Sequence, residues 1–277
     1  MQNESDIGGT YAPVIRGTSI KMLLSYALNN DFEIHHVDIK NAYLNAPLKE
    51  EVYIEQPYGY ESKSDKKLVC KLHKAMYSLK QAARCWGELL TELLTDMKFK
   101  QFESEECIYA NEGSEIVIGV YVDDLIIMSK SVEAIVKFKQ QLAEKVRLTD
   151  NGKLTKFIGF DVKRTDDEIH LSQEDLIQEL IENCGLQNAN GVRTPLSTGT
   201  ILDAEEGDIQ CEEVKNYQSI IGSLMYIAGC TRPDIQYVSN KLGRYMSNPM
   251  EKHFSAAKKV VRYLKQTAAT KTDFQET

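Results

Sequence analysis

The sequence runs to 277 residues, 42% apolar and 27% charged, which suffices for one large hydrophobic core or two modest ones and excludes disorder throughout. Its net charge of −8 argues on its face against a nucleic-acid partner, since Lys and Arg dominate phosphate binding, and no stretch approaches the roughly eighteen uncharged apolar residues of a membrane span. The start, MQNESDIGGTYAP, lacks the basic and apolar regions of a targeting peptide, and the six cysteines are scattered without CxxC pairs, so a soluble intracellular chain with reduced thiols is expected.

Ile20, Leu23, Leu24, Ala27 and Leu28 recur at helical spacing, with Thr18 or Ser19 as a cap and an end near Asn29 and Asn30. Residues 32–39 read as a strand that delivers Asp38 near its end, 52–54 as a short second strand and 59–67 as a polar connector. The three- and four-residue steps of Met76, Leu79, Ala83, Trp86, Leu90, Leu93, Leu94 and Met97 predict one long amphipathic helix with Trp86 in its buried stripe. In 116–128, Ile, Val and Tyr stand on both sides of Asp123 and Asp124, the pattern of a strand, a tight turn and a return strand. Ser131 caps a helix carrying Val132, Ile135, Val136, Leu142 and Val146. Another hairpin spans 157–162 and 168–171, turning at Asp166 and Asp167. Ser172 with Asp175 makes a capping pattern before Leu176, Ile177, Leu180 and Ile181, and Gly185 stands where that helix ends. The acidic stretch 203–213, with Asp203, Glu205, Glu206, Asp208, Glu212 and Glu213, reads as a solvated loop and a domain boundary. Helices follow over 217–228, 233–246 and 249–267, the last capped by Asn248. On that last helix Lys252, Lys258, Lys259, Arg262 and Lys265 form a basic face that reads either as a wet helix edge or as a nucleic-acid contact.

Two adjacent ionised aspartates within branched apolar residues are costly, because desolvation and mutual repulsion both oppose them. A divalent metal offsets that cost, and two metals roughly 3.5–4 Å apart can hold the attacking and leaving oxygens of a phosphoryl displacement. The alternative is a hairpin turn that points Asp123 and Asp124 into water, since Asp serves well in turns. Asp38 also ends an apolar approach, 34–37, so two acidic strand ends can converge on one site. His35 and His36 read as ordinary strand residues rather than ligands, because hard oxygen sites rarely use imidazole.

Thr10-Tyr-Ala-Pro-Val14, Val37-Asp-Ile-Lys-Asn-Ala-Tyr-Leu-Asn45, Gln56-Pro57, Leu79-Lys-Gln-Ala-Ala-Arg-Cys-Trp86 and Tyr121-Val-Asp-Asp124 occur in this order. They are followed by Phe157-Ile-Gly-Phe-Asp161, Thr194-Pro-Leu196, Thr231-Arg-Pro-Asp234 and Val261-Arg-Tyr-Leu264. In these motifs the chain resembles the reverse transcriptase of copia-type LTR retrotransposons, a part of the Pol polyprotein. The resemblance implies an α+β fold: a right-hand polymerase palm of antiparallel sheet and helices over 1–165 with a remnant of fingers, a thumb-like segment over 166–200, and a helical connection-like region over 201–277. The fingers are expected to be truncated and a ribonuclease H domain absent.

The activity implied is RNA- and DNA-directed DNA polymerisation, joining a primer 3′-hydroxyl to a deoxynucleoside triphosphate with two Mg²⁺ ions. Asp38, Asp123 and Asp124 would be the catalytic and metal-binding carboxylates. Tyr43 would lie under the sugar and exclude a ribose 2′-hydroxyl, Lys80 and Gln81 would contact nucleotide and template, and Phe157, Ile158, Gly159 and Phe160 would position the primer. The implied partners are a template-primer duplex of RNA or DNA, the dNTP and other Pol chains of the element, with no membrane; the implied location is the cytoplasm, in particles if the element is intact. Ser78 stands where the family commonly has Gly, and Ala83 where Pro is frequent. A side chain at 78 would obstruct a close approach or an unusual dihedral. The alternative expectation is a catalytically inactive relic that retains only nucleic-acid binding.

Overall fold

The computed structural model describes residues 10–63, 67–113, 115–203, 207–268, 270 and 272–275; Glu205 and Glu206 of the acidic stretch lie outside them. The chain divides into two compact units, Met1–Leu154 and Thr155–Thr277. The break falls before the 165/166 boundary expected from sequence, and the acidic stretch lies inside the second unit.

The first unit is built on a six-stranded antiparallel sheet. In chain order its strands are β1 (Glu33–Ile39), β4 (Lys100–Gln101), β5 (Ile108–Asn111), β6 (Ile116–Tyr121), β7 (Asp124–Ser129) and β8 (Leu148–Lys153). Their spatial order is β4-β5-β6-β7-β1-β8, so β1 lies between β7 and β8. A separate ribbon pairs β2 (Tyr53–Glu55) with β3 (Val69–Lys71). Because side chains alternate along a strand, both faces of the central strands need cover. Ile116, Ile118 and Val120 of β6 and Leu125 and Ile127 of β7 join the core made with helices α3 (Ala82–Asp96) and α4 (Val132–Ala143). Gly119 faces the other way, where helix α1 (Gly17–Asn29) presses so close that a Cβ would stand 2.8 Å from Leu23 Cδ1.

Several local expectations are met. Ser131 Oγ accepts from the Ala134 N–H at 3.1 Å and caps α4. Others give way to tertiary contacts. Thr18 and Ser19 lie inside α1 instead of capping it, and Ser19 donates to Glu105 at 2.6 Å. The long helix expected from Met76 begins only at Ala82, because Ser78 has φ 74° and breaks the approach. Among the described residues no helix is long and apolar enough to cross a membrane.

The second unit carries β9 (Lys156–Phe157), β10 (Phe160–Arg164), β11 (Glu168–Ser172) and β12 (Thr272–Gln275), antiparallel in the order β12-β11-β10-β9. Its helices are α5 (Glu174–Asn183), α6 (Val214–Cys230), α7 (Gln236–Gly243) and α8 (Glu251–Gln266). Ser172 belongs to β11 and does not cap α5, whose N-cap is Gln173. At its other end Gly185, φ 65°, turns left-handed while its N–H and that of Leu186 close on Glu182 and Ile181, the Schellman ending that glycine permits. Asn248 does not cap α8 either; Met250 does, and its N–H is taken by His253 Nδ1 at 2.9 Å.

The acidic stretch is fastened to α8 and to Tyr245 of the segment before it. Lys252 pairs with Asp208 at 2.7 Å, the Tyr245 hydroxyl donates to Asp203 at 2.9 Å, and Leu202 and Cys211 are buried. Most of the basic face of α8 is spent inside the unit. Arg262 donates to Asn190 O at 2.7 Å, Lys265 to Ala189 O at 3.0 Å, and Lys259 to the Ser197 hydroxyl. Beside them the buried Arg232 guanidinium binds Asp234 and Thr267.

Candidate active site

Three carboxylates gather where β6, β7 and β1 end. Asp38 and Asp124 are direct partners across the β1/β7 ladder, and opposite residues of an antiparallel pair project from the same face. Asp123 sits in the two-residue turn closed by the Tyr121–Asp124 pair, and its carbonyl accepts the Ile39 N–H at 2.7 Å. The sequence thus reaches one place by two routes: β1 is drawn between β7 and β8 by its apolar residues, and the β6–β7 hairpin turns at Val122–Asp123, one residue before the acidic pair expected from sequence, so that Asp124 opens β7.

Each carboxylate has a different environment. Lys40, two residues on, binds Asp38. His36 Nε2 lies 2.7 Å from Asp124 Oδ1, while the Asn151 amide lies 3.2 Å from Nδ1. If that amide donates, Nε2 carries the proton and donates to Asp124. Asp123 is held above the usual carboxylate range by burial first, then by the charges of Asp124 and Asp38; its own backbone N–H and Lys40 act the other way.

His36, an ordinary strand residue by its sequence, thus proves a partner of the acidic centre. The available signal was that a residue two before Asp38 on a strand shares its face. His35 points to the other side, where its Nδ1 meets the buried Lys139 at 2.8 Å, and Lys139 in turn pairs with Asp150. Burial, then the Lys139 charge, lowers the His35 pKa, so it remains a neutral acceptor.

Tyr43 follows on helix α2 (Ala42–Asn45). The entry to α2 needs Asn41 at φ 51°, a left-handed position that Asn tolerates better than most residues. The Asn45 amide ties the carbonyls of Lys40, Asn41 and Ala42 at 3.2–3.3 Å. The Tyr43 ring packs on Tyr77 with centroids 4.8 Å apart. Burial, and after it the charge of Asp123, raises its phenol pKa, so Tyr43 and Asp123 share one electrostatic environment. A cleft of about 850 Å³ has Tyr43, Trp86 and Val122 in its wall.

Lys80 and Gln81 stand in the turn before α3. Gln81 is wholly buried, and neither atom of its side-chain amide has a hydrogen-bond partner. The other expected group, Phe157, Ile158, Gly159 and Phe160, belongs to the second unit. Phe157 and Phe160 are buried ladder partners. Ile158 and Gly159, read from sequence as strand, form the two-residue turn between them, with φ 42° and 74°. The Tyr226 hydroxyl of α6 donates to Ile158 O.

Among the described residues no group of three or more His, Cys, Asp or Glu side chains is disposed to hold a metal ion in common. Mg²⁺ does not ask for such a cage: it keeps several waters and binds one or two carboxylates together with substrate phosphates. Paired Asp38 and Asp124, with an ionisation of Asp123 that its surroundings disfavour, fit that requirement in donor type and in charge.

Residues 2–198 match the family model described as reverse transcriptase (RNA-dependent DNA polymerase). The chain is 36% identical over 272 residues to the retrovirus-related Pol polyprotein from transposon TNT 1-94 of Nicotiana tabacum, covering 95% of this chain and 20% of that protein. It is 35% identical over 261 residues to the Pol polyprotein from transposon RE1 of Arabidopsis thaliana, covering 94% and 18%. A putative transposon Ty5-1 protein of Saccharomyces cerevisiae is 32% identical over 231 residues, covering 82% and 75%. The chain therefore spans about a fifth of the length of the plant polyproteins.

Proposed function

We propose that this chain, which belongs to the reverse transcriptase family of copia-type retrotransposon Pol polyproteins, carries the palm of an RNA- and DNA-directed DNA polymerase. The observation that carries this reading is the meeting of Asp38 and Asp124 across β1/β7 with Asp123 in the adjoining turn. Two Mg²⁺ ions, when bound, would activate the primer 3′-hydroxyl and neutralise charge on the triphosphate. Asp38 and Asp123 are the residues to hold them, and Asp124 completes the acidic centre. Lys40 and His36 occupy Asp38 and Asp124 in the chain alone and would yield part of their hold when a stronger cation arrives.

Tyr43 supplies a ring at the edge of this centre, braced by Tyr77, where a bulky group would crowd a ribose 2′-hydroxyl and spare a deoxyribose. Lys80 offers a cation to phosphate or template. For Gln81 to reach nucleotide, its buried amide must turn outward, and its two unpartnered polar atoms favour such a move because an unsatisfied buried polar group costs about 1–3 kcal/mol. The Phe157–Phe160 turn would position the primer terminus of a duplex. The dNTP and template-primer are the proposed partners, and a cytoplasmic particle the proposed setting.

A second reading, a chain that folds without polymerising, is favoured by Ser78 at φ 74° and the burial of Gln81. Extension of oligo(dT) on poly(rA) with Mg²⁺ separates the two. The polymerase reading expects incorporation of dTTP that Asp123→Asn removes. No incorporation by the unaltered chain favours the second reading, and incorporation that survives Asp123→Asn contradicts the site assignment.

A further inference from the structure

Trp86 is the only tryptophan of the chain and is 2% exposed, which suffices to read it as core. Its one polar atom says more. The indole Nε1 donates to Val122 O at 2.7 Å. That oxygen belongs to the central peptide of the β6–β7 turn, the peptide that joins Val122 to Asp123. The next peptide is fixed as well, since Asp123 O accepts the Ile39 N–H of the strand that carries Asp38. Asp123 is therefore held on both sides, by α3 through Trp86 and by β1 through Ile39.

The turn has two forms to choose between. Types I′ and II′ share a positive φ at the first central residue and differ by a half-rotation of the central peptide, which makes φ of the second residue positive in I′ and negative in II′. Val122 has φ 56°, and Asp123 is not among the residues of positive φ, the pattern of II′. Asp tolerates the left-handed region better than most residues, so the I′ form is open to Asp123. Rotation to it would take Val122 O away from the indole and swing the Asp123 side chain relative to Asp38 and Asp124.

We infer that Trp86 is a positioning residue for Asp123: its indole N–H holds the Val122–Asp123 peptide in the II′ orientation and so fixes the carboxylate beside Asp38 and Asp124. The inference rests on the reading of these three aspartates as the cation site. Val122 makes the donor necessary, because the II′ form normally has Gly at its first central position, and a β-branched side chain there is disfavoured.

A single tryptophan allows a single-atom test. Expression in a tryptophan auxotroph fed benzothienylalanine replaces Trp86 alone with a ring of nearly the same shape that has sulfur in place of N–H. Mn²⁺ binding is measured by calorimetry for the unaltered chain, the replaced chain and Asp123→Asn. The replaced chain is expected to bind Mn²⁺ about tenfold more weakly, the worth of one hydrogen bond, and its crystal structure to show the Val122–Asp123 peptide rotated. Unchanged affinity with an unmoved peptide overturns the inference, since packing alone would then account for Trp86. Mn²⁺ binding that survives Asp123→Asn would instead defeat the cation reading. The crystal structure then decides for Trp86 by itself: a rotated peptide supports its role and an unmoved one ends it.

Discussion

Two hairpin turns, one in each unit, share a two-residue plan and part most sharply at the second central residue. In the first, Tyr121 and Asp124 close on Val122–Asp123; in the second, Phe157 and Phe160 close on Ile158–Gly159. Both put a β-branched residue at positive φ, and both hold its carbonyl with an aromatic side chain from a helix, Trp86 or Tyr226. The second position separates them. Gly159 takes φ 74° and gives a I′ turn that is neutral and closely packed. Asp123 keeps negative φ and brings a charge whose ionisation burial opposes. One turn is strained for shape, the other for shape and charge, and only the second kind of strain can be relieved by a cation.

The largest expected effect is at the neutral turn. A Cβ on Gly159 would stand 2.8 Å from the Tyr226 hydroxyl, at a φ that L residues avoid. Gly159→Ala should lower stability by about 2 kcal/mol, the left-handed cost plus a weakened hydrogen bond, measured by urea unfolding. An unaffected midpoint would mean that the turn is not I′. Next comes Ser78, the non-glycine at φ 74° before α3. Ser78→Gly should raise stability by about 1 kcal/mol, and a loss would show that its side chain makes a needed contact. Ile158→Asn should gain rather less, about 0.5–1 kcal/mol, because Asn-Gly is the favoured I′ pair. The smallest change belongs to Tyr226→Phe, about 0.5 kcal/mol for one hydrogen bond at a part-exposed hydroxyl.

These contrasts also mark what the sequence could convey. Local devices are legible: Ser131 as a cap, Gly185 as a helix end, and the hairpin at the acidic pair, though its turn falls one residue earlier, on Val122–Asp123. So is the convergence of Asp38 with Asp123 and Asp124, though charge and spacing alone leave a solvated turn equally open. The start of α3 was not legible, because the apolar stripe runs back to Met76 while the backbone at Ser78 leaves the helical region. Strand β8 was missed because Leu148–Lys153 is largely polar and its place beside β1 comes from pairing, not from pattern. The basic face of α8 was visible as charge, but its chief use, holding the carbonyls of 189–190 and the Ser197 hydroxyl, depends on residues some 60–80 positions away. The Trp86–Val122 bond spans 36 positions and leaves no local trace at all.

Charge gives the comparison its sharpest form. Because the folded chain raises the Asp123 pKa, this group favours folding while protonated. That contribution is full below the ordinary carboxylate pKa and is lost as pH rises through the folded value. At neutral pH the ionised Asp123 is therefore a cost that a divalent cation should remove. The decisive measurement is thermal unfolding at pH 7 of the unaltered chain and of Asp123→Asn, each with and without Mg²⁺. Asp123→Asn is expected to unfold at a higher temperature than the unaltered chain when Mg²⁺ is absent, and Mg²⁺ to raise the unfolding temperature of the unaltered chain alone. A Mg²⁺ shift of equal size in both, or in neither, would contradict that expectation.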